Sequence, residues 1–310
     1  MRTVRAITHL PVLLVAFKRP ETTRRVLESI GRVKPPRLYF AVDGARPGNP
    51  KEAERVREVQ ALAESCVDWD CEVKTFFREE NRGCARGVSE AISFFFENEE
   101  AGVILEDDCV AEPDFFRYCE ELLDRYRDDP RMMHISGSSR VEIEDPGSSY
   151  FLSRYAQVWG WATWRDAWSN FTLERDLSQE LDEVLGRFPT ERERRYWEPI
   201  LRRTFAGGID SWAYRWSYAI WQADGISAYP TSNMVQNIGF GSDSTHTRAW
   251  STSRWSMPEP VPLGEIRHPS PAVLREDLDT LVYDRAYAKS PLPIRAMRAA
   301  ANLVRNRFTG

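Results

Sequence analysis

Several large classes of protein are excluded by what this chain lacks. Its five cysteines (Cys66, Cys71, Cys84, Cys109 and Cys119) are odd in number and form no C-x-x-C pair. Neither a zinc ribbon nor a complete disulfide framework is suggested, and they read as reduced thiols. Only four histidines are present. There is no P-loop to cradle phosphates, no internal repeat, no low-complexity stretch, and no apolar run long enough to cross a bilayer. Leu10 to Phe17 follows basic residues as a signal peptide would. It is short, however, lacks a small-residue cleavage site and runs straight into Lys18-Arg19-Pro20, so a buried first strand and a cytoplasmic protein are expected. A net charge of −5 over 310 residues argues against a general polyanion binder, and nucleic acid is not an expected partner. Length alone allows one large core or two modest ones.

What the chain does have is an acidic tripeptide, Glu106-Asp107-Asp108, directly after the apolar run Gly102-Val103-Ile104-Leu105. Carboxylates are therefore concentrated where a buried strand surfaces. Their hard oxygens suit Mg2+ or Mn2+, ions that keep open positions for diphosphate oxygens. Acidic turns are common in soluble proteins, so the surrounding pattern must carry the assignment.

That pattern alternates. Pro11 to Phe17 reads as a strand, Glu21 to Ile30 as a helix with Val26, Leu27 and Ile30 on one face, and Arg37 to Val42 as a second strand ending in Asp43-Gly44. A charged helix over Pro50 to Ser65, a strand over Cys71 to Phe77, a helix over Gly83 to Asn98 and a strand over Gly102 to Leu105 follow. The expected fold is α/β, a mostly parallel sheet with helices on both faces. Ligands of such sheets bind beyond the carboxyl ends of the strands, which here carry Lys18-Arg19, Asp43-Gly44, Asn81-Arg82-Gly83 and the acidic tripeptide.

After a helix near Phe115 to Arg127 and a strand near Met133 to Gly137, tryptophan becomes frequent: Trp159, Trp161, Trp164 and Trp168, then Trp212, Trp216 and Trp221. These rings either fill a second core or offer flat faces to sugar rings. Composition does not choose between the two.

The ordered set of Phe17-Lys18-Arg19-Pro20, Val42-Asp43-Gly44, Asn81-Arg82-Gly83-Cys84-Ala85-Arg86-Gly87 and Val103-Ile104-Leu105-Glu106-Asp107-Asp108 resembles the GT-A glycosyltransferases. With Pro113-Asp114-Phe115-Phe116, it is similar to N-acetylglucosaminyltransferase I and, more widely, to bacterial family 2 enzymes. The string from Asn233 to Thr247 also looks like the end of a bacterial catalytic domain. The resemblance covers roughly residues 10 to 250.

It implies a GT-A (Rossmann-like) domain over 1–257, with a nucleotide-sugar half at 10–135 and an aromatic-rich acceptor half at 136–257, followed by a linker and C-terminal helical tail at 258–310. It implies a nucleoside-diphosphate sugar donor, a UDP-sugar being favoured, a glycan or lipid-linked acceptor, and a Mn2+ or Mg2+ cofactor. Phe17, Arg19, Asp43, Asn81, Arg82, Arg86, Glu106 and Asp107 match donor-binding positions, and Asp108 matches the metal ligand. His246 is a further candidate ligand, with a surface histidine as the alternative. The acceptor hydroxyl must lose its proton as it attacks the anomeric carbon. Asp210 matches the base best, Asp166 is second, and Asp210 could equally cap a helix beginning at Ser211. A single displacement implies inversion.

From Ser290 to Phe308 an apolar stripe with interspersed arginines predicts a helix. It either docks on the domain or makes peripheral contact with the inner face of the membrane. Two alternatives remain open: a binding protein without turnover, and a sugar nucleotidyltransferase. The second commonly has a glycine-rich loop after its first strand, where this chain reads Ala16-Phe17-Lys18-Arg19-Pro20.

Overall fold

A computed structural model describes residues 8–141, 143, 147–174, 176–177, 179–239 and 257–288. His246 and the expected helix at 290–308 lie outside these residues.

The first half is built from β1 (Val12–Ala16), α1 (Pro20–Gly31), β2 (Arg37–Val42), α2 (Pro50–Ser65), β3 (Glu72–Phe77), α3 (Gly83–Asn98) and β4 (Ala101–Glu106). Each helix start has a local cause. Pro20 and Pro50 sit in the first turns of α1 and α2, where a missing N–H costs nothing, and Asn49 accepts the Glu52 amide as the cap of α2. β1, β2 and β4 are largely apolar runs because both faces are covered, whereas β3, at the sheet edge, is partly polar and exposed.

Further along come β5 (Cys109–Ala111), α4 (Pro113–Arg125), β6 (Met132–Ser136), β7 (Tyr150–Ser153), β8 (Trp161–Trp164) and α5 (Arg165–Trp168). They are followed by α6 (Leu181–Gly186), α7 (Glu191–Phe205), α8 (Trp212–Gln222), β9 (Ile226–Pro230), β10 (Val235–Asn237) and α9 (Glu276–Val282). One eight-stranded sheet runs β3-β2-β1-β4-β8-β6-β9-β7. β1 to β4 pair in parallel, β8 lies antiparallel between β4 and β6, and β6 pairs in parallel with β9. A two-stranded ribbon, β10 with β5, crosses behind the acidic turn. The mostly parallel α/β sheet flanked by helices, expected from the alternating pattern, is the observed architecture.

Two apolar cores lie on opposite faces of the sheet. One is aromatic: Trp161, Trp212 and Trp216 are fully buried around His134, whose ring stacks on Trp161 at 4.9 Å and accepts the Trp216 indole N–H. Burial holds the His134 imidazole neutral, its pKa pushed down to about 3. Most of the tryptophans are therefore core, the plainer of the two readings.

The 257–288 segment folds back along the domain. Leu263 N–H donates to Asp114, Arg275 N–H to the Leu152 carbonyl, and α9 is held by buried Asp279, which accepts from Ser153 and Arg154.

Candidate active site

The strand order brings the carboxyl ends of β1, β2, β3 and β4 to one rim. A cleft of about 760 Å³ opens there, between the parallel half and a wall made by α7, α8 and the turn before β8. Phe17, Arg19, Asp43, Asn81, Glu106, Asp107, Asp108 and Asp210 all line it.

Asp43 leaves the end of β2 and is held from several sides. Its carboxylate accepts the Gly44 amide (3.0 Å), the Asn81 side-chain amide (2.9 Å) and the Arg82 amide (3.1 Å). Burial nonetheless raises its pKa above the ordinary value. Arg82 and Arg86, two of the expected donor-binding cations, do not line the cleft. Arg82 contributes its backbone to Asp43 while its side chain is exposed, and Arg86 is exposed and pairs with Glu90 and Glu174.

Other cations do line the cleft. Lys18 and Arg46 converge on the buried Glu52 at 2.6 and 2.7 Å, Arg46 lies 5.4 Å from the Phe17 ring, and Arg78 pairs with Glu90 over the Phe76 ring. Arg140 and Arg203 enter from the opposite wall. Arg78 directly follows β3 and Arg46 lies two residues past Gly44, so the rule that strand ends carry ligand groups points at both. Trp159, Tyr196, Trp197, Tyr214 and Tyr287 complete the aromatic wall, with Arg140 packed 4.9 Å from Trp159.

In the acidic turn, Asp107 is buried. It accepts the Phe17 amide at 3.2 Å and a close ion pair from Arg19. Asp108 accepts from Arg19 at 2.9 Å and from the Asn237 amide at 3.3 Å. No hydrogen bond reaches the Glu106 carboxylate among the described residues. Burial, then the charges of Asp108 and Asp107, push its pKa up to about 8. Among the described residues the turn carries three carboxylates against one guanidinium.

Asp210 is exposed at the mouth of the cleft, but its carboxylate does not cap α8. It accepts the Cys84 and Ala85 amides at 2.9 and 2.8 Å, at the amino end of α3. Gly83 permits this contact: its φ is +78°, and a Cβ there would lie 3.0 Å from Asp210 Oδ2. Ser211 is the N-cap residue of α8. Asp166 is exposed on α5, away from the cleft.

Among the described residues no group of three or more His, Cys, Asp or Glu side chains is placed to hold a metal ion. The donor chemistry of the turn nevertheless fits one. Mg2+ and Mn2+ bind through one or two carboxylates and leave other positions to water and phosphate, and among the described residues the Glu106 carboxylate forms no ion pair. Asp108 would be the ligand, with Glu106 near it.

No family model and no curated protein matches the chain. Solved structures similar to part of it include a UDP-glucose pyrophosphorylase complexed with UDP-glucose, at 8% identity over 73% of this chain and 92% of that one (TM-score 0.36). HddC from Yersinia pseudotuberculosis is 10% identical over 50% of this chain and 77% of its own (TM-score 0.33). The glycosyltransferase GlyE of Streptococcus pneumoniae TIGR4 is 9% identical over 64% and 43% (TM-score 0.32). Likenesses this distant say nothing about the residues or chemistry of this chain.

Proposed function

We propose that the chain is a divalent-metal-dependent, inverting glycosyltransferase that moves a sugar from a nucleoside-diphosphate sugar to a hydroxyl of a glycan or lipid-linked acceptor. The observation that carries this reading is the grouping of three unlike surfaces in one cleft. An acidic turn, a set of cations from the ends of β1, β2 and β3, and an aromatic wall match in turn a metal, a diphosphate and sugar rings.

Each part has a task this chain's side chains can perform. Asp43, fixed by Asn81 and two amides, meets the base or ribose. Lys18, Arg46 and Arg78 counter the diphosphate charge. A divalent ion held by Asp108 would stabilise the charge that builds on the leaving diphosphate. Among the described residues Asp210 is the carboxylate that the second half contributes to the cleft lining, and it takes the acceptor proton; its two amide bonds fix its orientation.

Nucleotidyl transfer is the second reading, since the same cations suit a triphosphate. The turn after β1 speaks against it: the Phe17 amide, which a phosphate-cradling loop would aim at an anion, is taken by Asp107. The product separates the two. Incubating the full chain with UDP-, GDP- and dTDP-sugars and Mn2+ should raise its melting temperature and release nucleoside diphosphate. Asp108→Asn should lose the Mn2+-dependent part of the shift and at least about a hundredfold in turnover. Pyrophosphate release from a nucleoside triphosphate and a sugar phosphate would favour the second reading, and no response to any of these ligands would sink both.

A further inference from the structure

Arg19 already brings a positive charge onto two carboxylates of the acidic turn. Its backbone leaves it little choice of origin. It is the last residue before Pro20 and α1, and its carbonyl is held by the Thr23 amide (2.9 Å), the Thr23 hydroxyl (2.7 Å) and the Thr22 hydroxyl (3.2 Å). From that anchor the guanidinium reaches the turn, where one nitrogen, Nη2, bridges Asp107 Oδ1 and Asp108 Oδ2.

The bridge is covered from the far side. A Cβ at Gly239 would overlap Asp108 Oδ2 and lie 2.8 Å from Arg19 Nη1, so only a bare backbone fits over the pair. Ile238 and Asn237 pin that backbone, the first through the Asp108 carbonyl at 2.8 Å and the second through the Asp108 side chain. Of the two Asp108 oxygens, one faces Arg19 and the other faces Asn237 and the Cys109 thiol.

We propose that Arg19 is the resident counter-ion of the acidic turn and competes with the divalent ion for Asp108, so that the arginine sets how strongly the protein binds metal. This rests on the reading of Asp108 as the metal ligand. A guanidinium on Asp108 Oδ2 occupies one lone pair of that oxygen and cancels charge that would attract a divalent ion, so the two cations oppose each other at this carboxylate. Metal binding at Asp108 therefore weakens the Arg19 contact there, while its contact with the more deeply buried Asp107 can persist. Removing Arg19 leaves three carboxylates without their cation and increases their demand for another.

Metal binding can be read without turnover. Titration of Mn2+ into the full chain, followed by the electron paramagnetic resonance of the free ion with no nucleotide present, would compare wild type, Arg19→Gln, Arg19→Lys and Asp108→Asn. Arg19→Gln should bind Mn2+ about tenfold more tightly than wild type, the worth of one charge-assisted hydrogen bond. Arg19→Lys keeps a point charge but not the planar fork and should fall between them; it also serves if Arg19→Gln does not fold. Equal or weaker binding by whichever variant folds would overturn the proposal. Asp108→Asn separates the two ideas: if it loses Mn2+ while the Arg19 variants match wild type, the metal site stands and the competition does not. No Mn2+ binding by wild type or either Arg19 variant would remove both.

Discussion

Glu106 is buried beside two other carboxylates, and that has a consequence for stability. Its carboxyl, with an ordinary pKa near 4.5, is pushed up to about 8 by burial and by the adjacent Asp108 and Asp107. The folded protein thus holds this proton more tightly than the unfolded chain does. Stability from this group is complete below about pH 4.5 and declines as pH rises toward 8. Glu106→Gln removes the ionisation. The variant should gain on wild type steadily between pH 5 and pH 9, reaching about 2 kcal/mol at the upper end, less than the full linkage value because the side chain is partly solvated. Melting curves across that range would show it, and a difference that does not change with pH would mean the carboxylate finds a cation in solution.

At the scale of elements, the question is which helix Asp210 serves. A carboxylate just ahead of Ser211-Trp212-Ala213 reads locally as the cap of the helix that follows, yet the side chain crosses to the amino end of α3. Sequence spacing could not reveal this, because the partners lie more than a hundred residues away and meet only once the sheet has formed. The same limit explains the arginines. Arg82 and Arg86 stand in the glycine-containing turn that resembles the family, but helix geometry turns Arg86 outward onto Glu90 and Glu174, one turn along and on a distant loop. Arg46 and Arg78 reach the cleft because Glu52 and Glu90, on helices packed against the sheet, hold them there. The strands and helices of the first half were readable: α2 and α3 begin and end where periodicity and their first-turn residues place them. If Asp210 both steadies α3 and takes a proton, two substitutions divide the roles. Asp210→Asn keeps one acceptor oxygen and should cost little stability, while Asp210→Ala should cost about 1 kcal/mol as a lost cap. Both should lose transfer, Asn included, by about a hundredfold or more; full activity in Asp210→Asn would take Asp210 out of the chemistry.

For the molecule as a whole, the cleft depends on a segment that returns from the far end of the chain. One sheet joins the halves, with β8 and β6 continuing the parallel strands, so the rim that gathers the acidic turn also meets the aromatic wall. Tyr287, just after α9, lines that wall and accepts a hydrogen bond from Gln157 at 2.9 Å. Alternating strands and helices foretold the sheet; nothing in the local pattern of the 257–288 segment foretold that it would close the cleft, because its attachments, the buried Asp279 among them, are to residues more than a hundred positions away. Asp279 has no exposed surface, and it accepts from the Ser153 hydroxyl, from the Arg154 amide at 3.2 Å and from the Arg154 guanidinium at 3.0 Å. Asp279→Ala would strip Arg154, itself largely buried, of its closest ion pair. It should cost about 3 kcal/mol, the usual penalty for breaking a buried pair on one side. The loss should be local before it is global: limited proteolysis should cut within 257–288 while the sheet still resists, and donor-induced stabilisation should weaken as Tyr287 withdraws. A variant that melts earlier but keeps the segment protected and the donor response intact would show that α9 is held by its apolar contacts, with Val282 and Tyr283 buried in the aromatic core, and that Asp279 only adds to them.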